Sequence, residues 1–388
     1  MVTASPAVPG AFFDGEPLVR MIASALFTLS RQRAPRNPVY EDTVQTAFNH
    51  LVLRCLRHDV PPPASVPDMV SWAMHRPLHE WPLGLPDDLD TADGFLIDPQ
   101  TRLPTQQCLE WVISAPDPAA EQYENEVMLG VIQQCRVARS PESYTAFRRL
   151  LITRPVLTGT ELALLGEDLD LMLLIDTIKR SYEAAPGSYL RDGQYAQCAR
   201  CKCLLVPIAG GRYRCELDRC RREGFPTIER TLDPARGNGL YQLSRPLRMF
   251  ITGPGLAETD LEQDLIKKKL QPEMWPNFDT YDLRITLPNK QIWAIDVKDR
   301  ANPALLARTA RAFIPAPPYD QAFLVVPHYR FDEREAYARI FARHVPDEVR
   351  DRVRLMSDGE FLRVLTRELR RIRRIAIAHS TDGGSSDA

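Results

Sequence analysis

Lysine is scarce in this 388-residue sequence, in which only seven of the 49 basic residues are lysine and the others are arginine. The 51 acidic residues bring the formal net charge to −2, which excludes a uniformly basic, histone-like coating protein. A local basic patch can still bind phosphate groups, so nucleic-acid binding stays open. Because lysine is rare, the surroundings of each lysine are worth separate inspection.

Long apolar runs and a secretion signal are also missing. The richest apolar stretch, residues 162–175, is interrupted by Glu167, Asp168 and Asp170, so nothing reaches the about 18 apolar residues of a membrane helix. The N-terminal segment has neither the basic nor the apolar region of a signal peptide. Of eight cysteines, five crowd into residues 198–220, unlike a secreted disulfide framework. We therefore expect a cytoplasmic protein that does not interact with membranes.

The composition is that of an ordinary globular protein, with 44% hydrophobic and 26% charged residues. The length predicts two or three domains. We predict a helical domain over 1–190, a small cysteine-rich module over 191–239, a domain of mixed strands and helices over 240–378, and a disordered tail over 379–388. The fold class is therefore α+β and multidomain.

Hydrophobic spacing supports this division. In the first domain, apolar residues recur every three or four positions, which predicts helices over 17–31, 40–57, 119–138, 140–154 and 160–184. From residue 240 the pattern predicts strands over 247–252, 281–287, 292–297 and 322–326. Helices are predicted over 255–270, 302–313, 332–344, 347–355 and 359–374. This order indicates a mixed β-sheet flanked by helices.

The cysteine cluster has the spacing of a metal site. Cys198 and Cys201 form C-x2-C, and after thirteen residues Cys215 and Cys220 form C-x4-C. Two such pairs, brought together by a β-hairpin that turns near Gly210-Gly211, predict a tetrahedral zinc ribbon. Cys203 is the spare thiol. The alternatives are an iron–sulfur cluster or chance clustering. Four thiolates leave no open position, so the predicted Zn²⁺ is structural.

An acidic constellation is predicted in the third domain. Strand alternation places Asp282 on one face of the strand 281–287, and Asp296 and Lys298 together on one face of the next strand. A hairpin would bring these residues close together. Upstream, Glu258 and Glu262 lie one turn apart on a predicted helix.

Converging carboxylates repel each other unless a cation lies between them. Mg²⁺ accepts oxygen ligands and needs only about two protein carboxylates together with substrate phosphate. A neighbouring lysine can hold the attacking water and offset phosphate charge. Lys298 is the one lysine that has an acid two residues before it. The alternative is a surface hairpin with an ordinary ion pair between Asp296 and Lys298.

These residues resemble the PD-(D/E)xK nuclease superfamily, which has the restriction-endonuclease-like fold. The resemblance implies that Glu258 is the helix acid, with Glu262 as second choice. It implies that Asp282 is the first strand acid, and that Asp296 and Lys298 are the final pair, with Asp where Glu is commoner. In that superfamily the acids bind Mg²⁺ (or Mn²⁺) and the lysine assists the hydrolytic water, although inactivated members exist.

A narrower resemblance is carried by the run PGLAE…WPNFDTYDLRI…WAIDVKD behind a four-cysteine ribbon. It is similar to the endonuclease-like proteins found with prokaryotic PIWI-related (pPIWI-RE) defence modules. This resemblance covers about residues 195–330, and no family is assigned to the helical first half. It implies antiphage defence beside other proteins of the module, such as PIWI-like proteins or helicases.

The sequence therefore predicts a Mg²⁺-dependent endodeoxyribonuclease with DNA as its partner and a structural Zn²⁺. The competing interpretation is a non-catalytic nucleic-acid-binding or scaffold subunit. The oligomeric state stays open, a dimer included. An arginine stripe on the last helix fits either a phosphate-binding face or a solvated helix face; its members are Arg363, Arg367, Arg370 and Arg374.

Overall fold

The computed structural model describes residues 14–31, 39–89, 94–113, 118–222 and 224–382. Helices alternate with several small sheets, which confirms the α+β class. Within the described part of the chain, no helix combines the length and the apolar character needed to cross a membrane.

The described residues up to 190 are mainly helical. The helices are α1 (Gly15–Arg31), α2 (Asp42–Arg57), α3 (Val66–His75), α4 (Gln106–Ile113), α5 (Pro118–Ala138), α6 (Pro141–Thr153), α7 (Gly159–Leu164), α8 (Leu169–Met172) and α9 (Ile175–Ser181). The predicted continuous helix over 160–184 is wrong, because the chain breaks at Asp168. The backbone of this residue is extended, and its side chain accepts a hydrogen bond from the Asp170 N–H as the N-cap of α8.

Seven short strands lie among the described residues before residue 244. They are β1 (Val156–Thr158), β2 (Tyr182–Ala184), β3 (Tyr195–Cys198), β4 (Val206–Pro207), β5 (Tyr213–Arg214), β6 (Ile228–Leu232) and β7 (Leu240–Leu243). Strand β7 lies between β1 and β2, and β3 pairs with β6. The predicted ribbon hairpin is present as β4 and β5, with Gly210 and Gly211 at positive φ between them. Helix α10 (Asp218–Arg221) follows the hairpin.

The C-terminal region holds five strands and the remaining helices. The strands are β8 (Glu273–Met274), β9 (Leu283–Thr286), β10 (Ile292–Val297), β11 (Gln321–Val326) and β12 (Arg354–Ser357). The helices are α11 (Arg245–Leu247), α12 (Gly253–Lys267), α13 (Pro276–Asp279), α14 (Pro303–Thr309), α15 (His328–Glu333), α16 (Tyr337–His344), α17 (Asp347–Arg350) and α18 (Asp358–Asp382).

The predicted strand over 247–252 is wrong. Residues 245–247 and 248–252 form a continuous helical lead into α12, the second stretch being a π-helix. A short buried apolar run has no periodicity, so its sequence does not distinguish a strand from a buried helix. Strand β12 was also missed, because its first residues fall within the helix predicted over 347–355, which in the structure ends at Arg350. Helix α18 runs beyond the predicted end at residue 374 as far as Asp382, and residues 383–388 of the predicted tail lie outside the described residues.

The chain divides into two compact units. One comprises residues 1–130, 154–165 and 176–249, and the other comprises residues 131–153, 166–175 and 250–388. Helix α6 therefore belongs to the same unit as the five-stranded sheet. The domain boundaries drawn from composition, at 190/191 and 239/240, stay predictions.

The five-stranded sheet has the order β12-β11-β10-β9-β8. Strands β10, β11 and β12 are parallel neighbours, whereas β8, β9 and β10 pair antiparallel, so the sheet is mixed as predicted. On one face, Leu324 packs with residues of α14 and α16. On the other, Phe323 packs against Phe361 of α18. Helices thus cover both faces of the sheet. Successive residues of a strand point to opposite faces, and in a strand that is buried on both sides all of them are apolar.

Helices α6 and α12 pack at a glycine. A Cβ atom on Gly255 would lie 2.4 Å from two side-chain carbons of Ile152, closer than any real contact. The Thr252 hydroxyl, buried beside this contact, donates a hydrogen bond to the Leu151 carbonyl at 2.8 Å. The absence of a side chain at Gly255 therefore sets how closely the two helices approach.

We predict that Gly255→Ala destabilises the protein by about 1–3 kcal/mol, because the added methyl group must displace Ile152 or separate the helices. Gly130→Ala is the matched control. A Cβ atom at this position in α5 meets nothing within 4 Å, and alanine is about 1 kcal/mol better than glycine in a helix. Urea unfolding of both variants measures the difference. Equal midpoints for Gly255→Ala and the wild type would contradict close packing at this contact.

Candidate functional site

Four cysteines converge in the ribbon. Cys198 ends β3, Cys201 lies in the following turn, Cys215 follows β5 and Cys220 lies in α10. Their sulfur atoms all lie within 4.8 Å of one another, and the four residues are buried. Sulfurs bound tetrahedrally at about 2.3 Å from one Zn²⁺ lie about 3.8 Å apart, so this group could bind zinc. Cys203 is buried as well but lies outside the group.

Ionisation of the four clustered thiols is unfavourable. A hydrogen bond to Cys198 contributes most to raising the pKa of both Cys201 and Cys215, and burial raises it further. Thiols this close cannot all ionise without a cation between them. A metal ion that binds four thiolates would relieve that repulsion, which is the chemistry of a closed structural site.

Two buried carboxylates brace the ribbon within its compact unit. Asp98 accepts hydrogen bonds from Arg214 Nε at 3.0 Å and Nη2 at 2.6 Å, so the second ribbon strand is tied to the loop before α4. Glu216 pairs with Arg248, and Arg245 Nε lies 3.4 Å from it. Buried carboxylates are stable only when paired in this way.

The predicted acid and lysine residues of the C-terminal domain come together at one end of the sheet. Asp282 directly precedes β9, Asp296 lies in β10 and Lys298 directly follows β10. The hairpin register pairs Leu283 with Ile295, so Asp282 and Asp296 are next to each other across the two strands. The predicted alternation of strand faces accounts for this meeting.

One ammonium group contacts both strand carboxylates. Lys298 Nζ lies 2.8 Å from Asp296 Oδ1 and 3.4 Å from Asp282 Oδ2. The same Asp282 oxygen accepts a hydrogen bond from the Val297 N–H at 2.7 Å, which orients it. Asp282 is buried, while the Lys298 side chain is 35% exposed. The group is therefore open to solvent on the side of the lysine.

Glu258 lies in the same cluster but has its own cation. Both of its carboxylate oxygens accept hydrogen bonds from Arg148 Nη2, at 2.9 and 3.1 Å, and Oε2 also accepts one from Trp275 Nε1 at 2.6 Å. The second-choice acid, Glu262, pairs instead with Arg149 through both of its oxygens, at 2.8 and 2.9 Å. Glu258, and not Glu262, therefore belongs with the strand acids.

Two charged residues of the cluster were not predicted. Arg148 of α6 pairs with Glu258 and Asp279, and its Nη2 lies 3.6 Å from Asp282 Oδ1. No local signal marks Arg148, which is 110 residues away from Glu258. Asp279 stands three residues before Asp282 in the run DTYD, and this proximity was the available signal.

A strained turn presents Asp279. The non-glycine residues Trp275, Asn277, Phe278 and Asp279 all have φ between 48° and 72°, in the left-handed region. Each such conformation is unfavourable and persists only where surrounding contacts impose it. The Trp275 N–H donates to the Asp282 carbonyl at 2.8 Å, and its ring nitrogen donates to Glu258. The turn is therefore held by the residues of the cluster itself.

Burial and mutual repulsion alter the titration of these acids. Burial, together with the charge of Asp282, raises the pKa of Asp296 well above its usual value. Burial also raises the pKa of Glu258 to about 7, although Arg148 opposes this effect. Burial alone would lower the pKa of Lys298, but Asp282 and Asp296 raise it above its usual value. The cluster therefore attracts further positive charge.

The segment after β10 is anchored separately. The Lys298 N–H donates to the Val325 carbonyl at 2.9 Å, which extends the pairing with β11. The next residue, Asp299, is buried, and it accepts hydrogen bonds from Arg330 Nε at 2.6 Å and from the Tyr329 hydroxyl. These contacts hold the backbone that carries Lys298.

The predicted arginine stripe lies on the exposed side of α18. The groove between this helix and the end of α12 is lined by Lys268, Leu362, Arg363, Thr366, Arg367 and Arg370. Lys268 Nζ donates a hydrogen bond to Thr366 Oγ1 at 2.9 Å, which joins the two helices. Positive side chains thus follow one continuous surface of the unit that contains the acid cluster.

Two family models match the chain. Residues 18–158 match "pPIWI_RE three-gene island domain Y", and residues 255–373 match "REase associating with pPIWI_RE". No curated protein and no solved structure matches it. The first match supplies a family for the helical first half, which the sequence had left without one. The second contains Glu258, Asp282, Asp296 and Lys298, and the predicted resemblance is confirmed. The chain is a pPIWI-RE module protein with a restriction-endonuclease-like domain.

Proposed function

We propose that this protein is a divalent-metal-dependent nuclease that hydrolyses the phosphodiester bonds of DNA in antiphage defence. The observation that carries the proposal is the contact of Lys298 with both Asp282 and Asp296 at the end of two paired strands. This group lies within the segment that matches the restriction-endonuclease family.

The residues present suit an oxygen-liganded cation. The second carboxylate oxygen of Asp279 is buried and has no hydrogen-bond partner among the described residues, and burial together with the charge of Asp282 raises the pKa of Asp296. Asp282 and Asp296 would hold Mg²⁺ or Mn²⁺, with Glu258 completing the acidic set. The ion would polarise the phosphate and lower the pKa of a bound water.

Lys298 supplies a positive charge where the phosphate and the attacking water would meet. Its partly exposed ammonium group can donate hydrogen bonds to both, while Asp296 restrains its position. The arginine groove on α18 fits a second task, since guanidinium groups in a row bind the backbone phosphates of a nucleic acid. DNA is therefore the proposed partner of this unit.

The ribbon is proposed to bind one Zn²⁺ through Cys198, Cys201, Cys215 and Cys220. Four buried thiolates leave no open coordination position, so the ion would stabilise the module without taking part in hydrolysis. The two family descriptions, a three-gene island and an REase that associates with pPIWI-RE, support joint action with other proteins of the module.

One observation favours a second candidate function, a non-catalytic nucleic-acid-binding or scaffold subunit. Arg148 is a protein cation that already pairs with both Glu258 and Asp279. A site stabilised in this way could persist in a protein that only binds DNA or docks partners. Cleavage assays separate the two candidates.

We predict Mg²⁺- or Mn²⁺-dependent cleavage by the wild type, and a loss of about 10²–10³-fold or more in Asp296→Asn and Lys298→Ala, because each variant removes a charge that acts on the reacting phosphate. Asp264→Asn and Lys267→Ala are matched controls on exposed positions of α12 and should keep activity. Plasmid, single-stranded DNA and RNA serve as substrates. If the wild type is as inert as the two site variants on all three, the enzyme proposal fails.

We predict one Zn²⁺ per chain by elemental analysis, lost in Cys198→Ser, because a hydroxyl is a poor substitute for a thiolate ligand. Cys203→Ser is the matched control and should retain the metal, since Cys203 is equally buried but lies outside the four-sulfur group. Iron in place of zinc, or no metal at all, would overturn the ribbon assignment.

A further inference from the structure

Arg148 lies inside the acidic cluster and is 7% exposed. Its guanidinium group contacts Glu258 through both oxygens of the carboxylate, pairs with Asp279, and comes within 3.6 Å of Asp282. A single cation thus touches three carboxylates, whereas Lys298 touches Asp282 and Asp296.

The position of Arg148 is set by a packed helix. Its guanidinium carbon lies 5.2 Å from the centre of the Trp275 ring, and Nη1 lies 3.4 Å from the Tyr144 hydroxyl one turn earlier in α6. Helix α6 is held against α12 at Gly255, the same helix that carries Glu258. Arg148 Nε is buried and has no hydrogen-bond partner among the described residues. The side chain is therefore aimed at the acids by the backbone, even though one of its donors is left unsatisfied.

Glu258 is consequently committed to protein groups. Arg148 binds both of its oxygens and Trp275 Nε1 donates to Oε2, so a metal ligated by this carboxylate would compete with a buried, charge-assisted pair. Breaking such a pair leaves an uncompensated buried charge, which is strongly unfavourable. Lys298 is the cation that Asp282 and Asp296 share, and its partly exposed side chain can turn toward solvent.

The formal charges of the cluster point the same way. Four carboxylates, Glu258, Asp279, Asp282 and Asp296, face the two cations Arg148 and Lys298. The uncompensated charge is two negative units, which one divalent cation neutralises. A second divalent cation would leave the buried cluster with excess positive charge.

On the proposed nuclease function, we infer that Arg148 takes the place of a second metal ion beside Glu258. The site then binds one divalent cation, held by Asp282 and Asp296. Glu258 and Arg148 act as a charge-neutral pair that positions the strand acids and does not ligate the metal. The completed site thus includes a residue of α6, outside the segment 255–373 that matches the restriction-endonuclease family.

Mn²⁺ binding to the full chain, measured by electron paramagnetic resonance without nucleic acid, tests this inference. We expect one Mn²⁺ in the wild type and in Arg148→Lys, which keeps the charge. We expect two in Arg148→Gln, because Glu258 and Asp279 lose their cation and the uncompensated charge rises to three negative units, which one divalent cation leaves only partly neutralised. We expect Asp296→Asn to weaken binding by about 10–100-fold.

The double variant Arg148→Gln/Glu258→Gln is the decisive control. It removes the pair without changing the formal charge of the cluster, so it should bind one Mn²⁺ with an affinity within about threefold of the wild type. Its thermal unfolding is compared with that of the single variants to show that it folds. An affinity as weak as that of Asp296→Asn would make Glu258 a ligand and overturn the inference.

Two Mn²⁺ in the wild type, or one in a folded Arg148→Gln protein, would also overturn the inference while leaving the proposed nuclease function intact. The failure of that function has a different signature. The wild type would then bind no Mn²⁺ that depends on Asp296 and would cleave no substrate, and the inference would fall with it.

Discussion

Buried negative charge requires a neighbouring cation, and this constraint organises both compact units of the protein. In the unit that contains the cysteine ribbon, Glu216 is buried beside Arg245 and Arg248. In the sheet unit, Arg148 and Lys298 perform the same task for the acid cluster. Transfer of an unpaired carboxylate from water to a protein interior is unfavourable by several kcal/mol, so each acid position depends on the element that brings its partner.

The constraint explains why the candidate site is built from more than the five-stranded sheet. Strands β9 and β10 supply Asp282 and Asp296, and α12 supplies Glu258. These acids could not be buried together without Arg148 from α6, and α6 can approach α12 because Gly255 has no side chain. The grouping of α6 with the sheet, despite an intervening 96-residue segment that belongs largely to the other unit, follows from this charge pairing and packing.

Much of the site could be predicted wherever local geometry determines it. The period-two alternation of a strand placed Asp296 and Lys298 on one face, and the hairpin register brought Asp282 beside them. Cysteine spacing likewise predicted which four of the five clustered cysteines bring their sulfur atoms together. Prediction failed at residues 247–252, where a buried apolar run fits either a strand or a helix, and at Asp168, whose cap interrupts an otherwise periodic stretch.

The sequence by itself determined the chemistry of the candidate sites: four cysteines at ribbon spacing, and a rare lysine two residues after a strand acid. Tertiary structure alone decided which cation serves each carboxylate. Arg148 and Glu258 are separated by 110 residues, and no periodicity connects positions that far apart. Arginine is also the common basic residue in this sequence, so the residue type did not mark Arg148 as part of the site. The packing of the helices determines which of the many guanidinium groups reaches the buried acids, and in this fold it is that of Arg148.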